Sequence, residues 1–169
     1  MRGGDISGVV ERVLEAVREA ASEPLEAGVA ELTISSVKEI HGPSADYDAP
    51  AIVLTPREPA AARVVAEVQD GDLWWLSAGD GPGFELHAGM REDRYVLLER
   101  LVKAVVSGDY EHGWEERGQR LLLTPWRRRR RAVWVATFGR GRDAVATRHQ
   151  IDRRGVDPAH RRFAPYLRE

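Results

Sequence analysis

Cysteine is missing from all 169 residues, and lysine appears only at Lys38 and Lys103. Without thiols there can be no disulfide, thiolate zinc site, iron–sulfur cluster or cysteine nucleophile. No apolar run approaches the roughly 18–20 residues that a membrane-spanning helix needs. The opening residues Met1-Arg2-Gly3-Gly4-Asp5 lead into an acidic amphipathic segment rather than the apolar core of a signal peptide, so a cytoplasmic location is expected. Catalytic signatures are equally scarce. Gly-x-Ser-x-Gly does not occur, and none of His41, His87, His112, His149 and His160 stands in a His-Glu-x-x-His pattern. The loop Gly79-Asp80-Gly81-Pro82-Gly83 lacks the Gly-Lys-Ser/Thr ending of a phosphate cradle and precedes a strand pattern rather than a helix. Glu115 and Glu116 are adjacent, which does not make a facing pair of glycosidase type. No cofactor or metal is expected, and a non-enzyme is the favoured reading.

What the chain does have is charge, divided unevenly. Residues 1–126 hold 12 Arg and Lys against 23 Asp and Glu, a balance of −11. Residues 127–169 hold 13 against 4, a balance of +9, so a total of −2 conceals an acidic body and a basic end. Fields of that size call for counter-charges in the same chain, in a partner protein or in a polyanion. Arginine outnumbers lysine 23 to 2 over the whole chain, and the skew is present in the acidic body too, which reads as compositional bias more than as a phosphate-binding signature. The length suits one domain with a proper core, and the 43% hydrophobic share suits a folded chain.

Periodicity supplies the elements. Ile6, Val9, Val10, Val13, Leu14, Val17, Ala20 and Ala21 form one stripe of an amphipathic helix over about 6–21. Tyr95, Leu98, Leu101, Val102 and Val105 form another over about 92–107, opened by Glu92 and Asp93 and closed by Gly108. Residues 62–68, 73–78 and 84–88 alternate like an antiparallel meander, with Asp70-Gly71 as its first turn. Glu31 to Ile40 reads as a weak strand, and further strands are expected over 110–115, 119–124 and 132–138. The order of helices and strands, without regular alternation, predicts an α+β domain with a largely antiparallel sheet. A compact body over 1–138 would carry a basic arm over 139–169, pinned by Phe163 and Tyr166. Trp74 and Trp75 are neighbours on one strand and must point to opposite faces.

Four groups of residues are candidates for binding or chemistry. The run Arg127, Arg128, Arg129, Arg130 and Arg131 stands between Trp126 and Trp134, with Arg140 and Arg142 beyond. Guanidinium groups neutralise phosphates and flat rings stack on bases, the combination a single-stranded nucleic acid requires. A solvated hairpin connection is the favoured reading of the same run, and the acidic body would repel a phosphate backbone. Glu11, Glu15 and Glu19 make a line of like charge at i+4 spacing, either crossed by the chain's own arginines or free to dock a basic partner. Tyr110, His112 and Trp114 share a strand face and, with His87, could wall a cleft able to host acid–base chemistry. His41 precedes Asp46 and Asp48 in one loop, a weak metal-ligand spacing.

These observations favour a non-catalytic protein-interaction module of toxin-neutralising or chaperone-like type, working through the acidic face or the basic arm. A protein partner or a homodimer is expected, with no membrane. Single-stranded nucleic-acid binding through Trp126 to Arg131 is the alternative, and a small-ligand enzyme the third possibility.

Overall fold

The computed structural model describes residues 6–69, 73–87, 89–119, 129–151 and 160–167. Helix α1 (Ile6–Ala20) follows the expected stripe, with Val13 and Val17 fully buried. It is followed by a short α2 (Ser22–Glu26), which carries Pro24 in its first turn, where a missing N–H costs no helical bond. Gly28, at φ +66°, then turns the chain into β1 (Ala30–Ser36).

The strand expected over 31–40 stops at Ser36, because Ser36 and Glu39 form a capping box. Ser36 Oγ accepts from the Glu39 N–H at 3.3 Å, and Glu39 Oε2 accepts from the Ser36 N–H at 3.0 Å. The result is a one-turn α3 (Val37–His41) that lifts the chain over the sheet. β2 (Pro50–Pro56), β3 (Val64–Val68), β4 (Leu73–Ala78) and β5 (Phe84–His87) complete a five-stranded antiparallel sheet in the order β1-β2-β3-β4-β5. The Asp70-Gly71 turn lies outside the described residues.

Helix α4 (Arg94–Val106) is capped by Asp93, whose carboxylate accepts from the N–H groups of Tyr95 and Val96 at 2.9 and 3.3 Å. It ends at Gly108, where φ is +74°. The chain then begins a second ladder with β6 (Tyr110–Gln119), β7 (Arg129–Phe138), β8 (Val145–Ile151) and β9 (His160–Arg162), in the order β8-β7-β6-β9. The fold is α+β, as expected, but its antiparallel strands divide into two sheets. α4 separates β5 from β6, and β6 pairs with β7 and β9 instead of extending the first sheet.

One core joins these parts. The inner face of the first sheet, with Ile52, Leu54, Val64, Ala66, Trp74, Leu76 and Leu86, packs beneath α1 and α4. Tyr110, Ala136 and Phe138 from the second sheet join the same cluster, and so do Phe163 and Tyr166 from the last described segment. The adjacent tryptophans part as their alternation requires. Trp74 is buried beneath the Arg94 guanidinium, 4.2 Å from its ring, while Trp75 stands on the opposite, outer face.

Candidate functional site

Tyr110, His112 and Trp114 share one face of β6, and the structure shows what covers them. Tyr110 is buried and donates its hydroxyl to the Ala78 carbonyl at 2.8 Å; burial pushes its pKa upward. His112 is also buried, among Tyr110, Phe163 and Trp134. Its Nε2 lies 3.0 Å from Asp80 Oδ1. Desolvation holds the imidazole below its ordinary pKa, and the neighbouring Asp80 offsets part of that shift. Trp114 stacks on Trp134 across the ladder, with centroids 5.3 Å apart and planes 11° from parallel. His87 belongs to the other sheet, exposed on edge strand β5. Three of the four proposed cleft residues are thus neighbours, but two are packed into the core rather than set along an opening.

The aromatic-basic stretch is only partly in view. Trp126, Arg127 and Arg128 lie outside the described residues. Arg129, Arg130 and Arg131 begin β7, with backbones opposite Gln119, Gly118 and Arg117. Arg142 is exposed in a 3-10 turn, and Arg140 pairs with Asp109. In the last described segment Arg161 pairs with Asp80 at 3.5 Å and Arg162 with Glu111 at 2.8 Å. The basic region therefore neutralises acids of the β4–β5 turn and the start of the second sheet.

The three arginines with described partners, Arg140, Arg161 and Arg162, pair away from α1. Glu11, Glu15 and Glu19 are exposed, and no ion pair among the described residues involves them. Glu15 and Glu19 join Glu26 and Glu31 along a groove of about 750 Å³ between α1, α2 and β1. Leu25, Ala30 and Leu32 give it an apolar lining, and Arg18 is its one cation.

A different constellation occupies the outer face of the first sheet. Residue Glu67 of β3 is only 7% exposed, within a strand whose five residues are all buried. Its Oε1 lies 2.8 Å from His41 Nε2, and its Oε2 accepts from the Tyr47 hydroxyl. The Gln69 side-chain amide donates to the same hydroxyl at 2.9 Å. Tyr47 has its pKa pushed up to about 12 by desolvation first and by the Glu67 carboxylate second. Trp75 is directly opposite Glu67 across β3 and β4, and both open onto a cavity of about 570 Å³ that also touches Ser77 and Gly83. A Cβ at Gly83 would sit 2.6 Å from the indole Cε3, so glycine lets the β4–β5 connection close on the ring.

Sequence reasoning passed over this group. It set His41 beside Asp46 and Asp48, yet both aspartates are exposed and His41 turns to Glu67. Among the described residues no group of three or more His, Asp or Glu could hold a metal ion. The available signal was a lone acid inside Val64-Val65-Ala66-Glu67-Val68, a carboxylate that a buried strand must satisfy with donors. No protein-family model, curated protein or solved structure matches the chain, so its sites are read from their own geometry.

Proposed function

We propose that this chain is a protein-binding module without chemistry of its own, and that it receives a basic segment of a partner along the acidic side of α1. A small toxin-neutralising or chaperone-like protein has this profile. The observation that carries the reading is that Glu11, Glu15 and Glu19 form no ion pair among the described residues while Arg140, Arg161 and Arg162 pair elsewhere. Like charges four residues apart weaken a helix, and a cationic partner would relieve that repulsion. The groove beside them offers apolar Leu25 and Leu32 below a rim of four glutamates, suited to a side chain with an apolar stem and a charged head. Complementary charge would chiefly speed and orient the encounter.

The test uses a labelled octa-arginine peptide as a defined basic probe, titrated by fluorescence anisotropy. Binding at about 50 mM salt should weaken markedly at about 300 mM, where screening shortens the reach of exposed charges. The triple variant E11Q/E15Q/E19Q should lose it, whereas D46N/D48N/E85Q, with the same change in net charge, should keep it. Equal binding by the two triple variants, or none by the wild type, would overturn the proposal.

A further inference from the structure

The cavity on the outer face of the first sheet shares no lining residue with the groove beside α1. Its volume, about 570 Å³, lies within the range of small-molecule pockets, roughly 300–1,000 Å³. The surrounding side chains limit what it would take. Glu67 is shielded, and each of its oxygens already receives a donor, from His41 and from Tyr47. A buried carboxylate disfavours an anionic ligand, and one so engaged leaves little room for direct pairing with a cation.

What faces the cavity is a mixture. The half-buried Trp75 indole supplies a flat apolar surface, and the Ser77 hydroxyl can both donate and accept. Gln69 gives one N–H to Tyr47, which leaves its amide oxygen and second N–H. His41 Nε2 is engaged by Glu67, which leaves Nδ1 on a ring that is half exposed. Donors and acceptors in near-equal supply around one aromatic plate match a ligand whose own groups do both jobs. Hydroxyls do, and a pyranose ring presents them around an apolar C–H face. We propose that this pocket binds a neutral saccharide stacked on Trp75, with Gln69, Ser77 and His41 reading its hydroxyls. Glu67 does not touch the ligand; it positions His41 and Tyr47.

The experiment is saturation-transfer difference NMR on the full chain, with glucose, galactose, N-acetylglucosamine and maltose as one arm and adenosine and cytidine as the other. At least one saccharide should bind, and the nucleosides should not. Affinity for that saccharide should fall about tenfold in Gln69→Ala, as expected when one hydrogen-bonding group of a ligand loses its partner. It should also fall in Trp75→Ala, whereas E11Q/E15Q/E19Q should bind it as the wild type does. Gln69 lies at the cavity margin, so its variant reads the site even where Trp75→Ala disturbs the sheet. Silence toward every saccharide, nucleoside binding in their place, or saccharide binding indifferent to Gln69→Ala would each overturn the proposal.

Discussion

The Tyr166 hydroxyl donates to the Ala62 carbonyl at 2.6 Å, a bond between residues 104 positions apart that ties the last described segment to the approach of β3. Neighbouring backbone bonds reinforce it: Ala164 N–H to the Ala60 carbonyl at 3.0 Å, and Tyr166 N–H to the Val106 carbonyl at 2.9 Å. The ring itself is buried, and burial raises the phenol's pKa. Tyr166→Phe keeps the packing and strands one carbonyl, so it should cost about 1–2 kcal/mol. Tyr166→Ala also opens a cavity and should cost about 3–5 kcal/mol, by analogy with other buried aromatics. Urea denaturation measures both. Equal, negligible losses would mean that the segment contributes nothing to the core.

The stability of α1 should respond in the opposite sense. Glu15 faces like charges at Glu11 and Glu19, one turn away on each side, and no ion pair among the described residues joins any of the three to a cation. Glu15→Gln should therefore stabilise the fold by about 0.3–1 kcal/mol, the sum of two relieved i, i+4 repulsions. The same change should weaken octa-arginine binding. A variant both less stable and fully binding would show that the acids of α1 are satisfied within the chain.

How far the fold could be read from residue order depends on the range of the forces involved. The stripes of α1 and α4 and the alternation of β3, β4 and β5 are local patterns, and each appears within about two residues of its expected place. The division into two sheets is not local. It follows from which edge β6 joins, a choice made by packing across the whole core. α3 was legible in principle, since Ser36 and Glu39 stand at capping-box spacing, but the alternation of Leu32 and Ile34 suggested that the strand ran on. The outer-face site was the least legible. Its polar core joins residues 20 and 26 positions apart in the chain, and only the register of β3 on β4 sets Glu67 opposite Trp75. That Arg140, Arg161 and Arg162 pair with Asp109, Asp80 and Glu111 rather than with the α1 acids was likewise not written in residue order.

Ionisation of Tyr47 reports directly on that outer-face site. Its pKa of about 12 reflects burial first, then the hydrogen bond and charge of Glu67. Glu67→Gln removes the charge and keeps the shape, so the Tyr47 phenol should ionise at lower pH in that variant. Subtracting the phenolate absorbance titration of Tyr47→Phe from each parent isolates the residue. An unchanged midpoint in Glu67→Gln would show that the carboxylate does not hold the tyrosine.

His112 should make the protein sensitive to mild acid. Burial lowers its pKa from an ordinary 6.5, with Asp80 acting against that shift. Because the folded pKa lies below the unfolded one, the unfolded chain binds the proton more readily as pH drops. The neutral ring's contribution is thus complete above about pH 6.5 and is lost as pH falls through that value toward the folded pKa. His112→Phe cannot titrate and fits among Tyr110, Phe163 and Trp134, so its melting temperature should fall less than the wild type's between about pH 7.5 and 5. Asp80→Asn removes the carboxylate that favours the charged ring, which lowers the folded pKa further and should steepen the acid loss. Parallel profiles for wild type and His112→Phe would mean that the imidazole is not the titrating group, and a shallower profile for Asp80→Asn would mean that the carboxylate does not act on it.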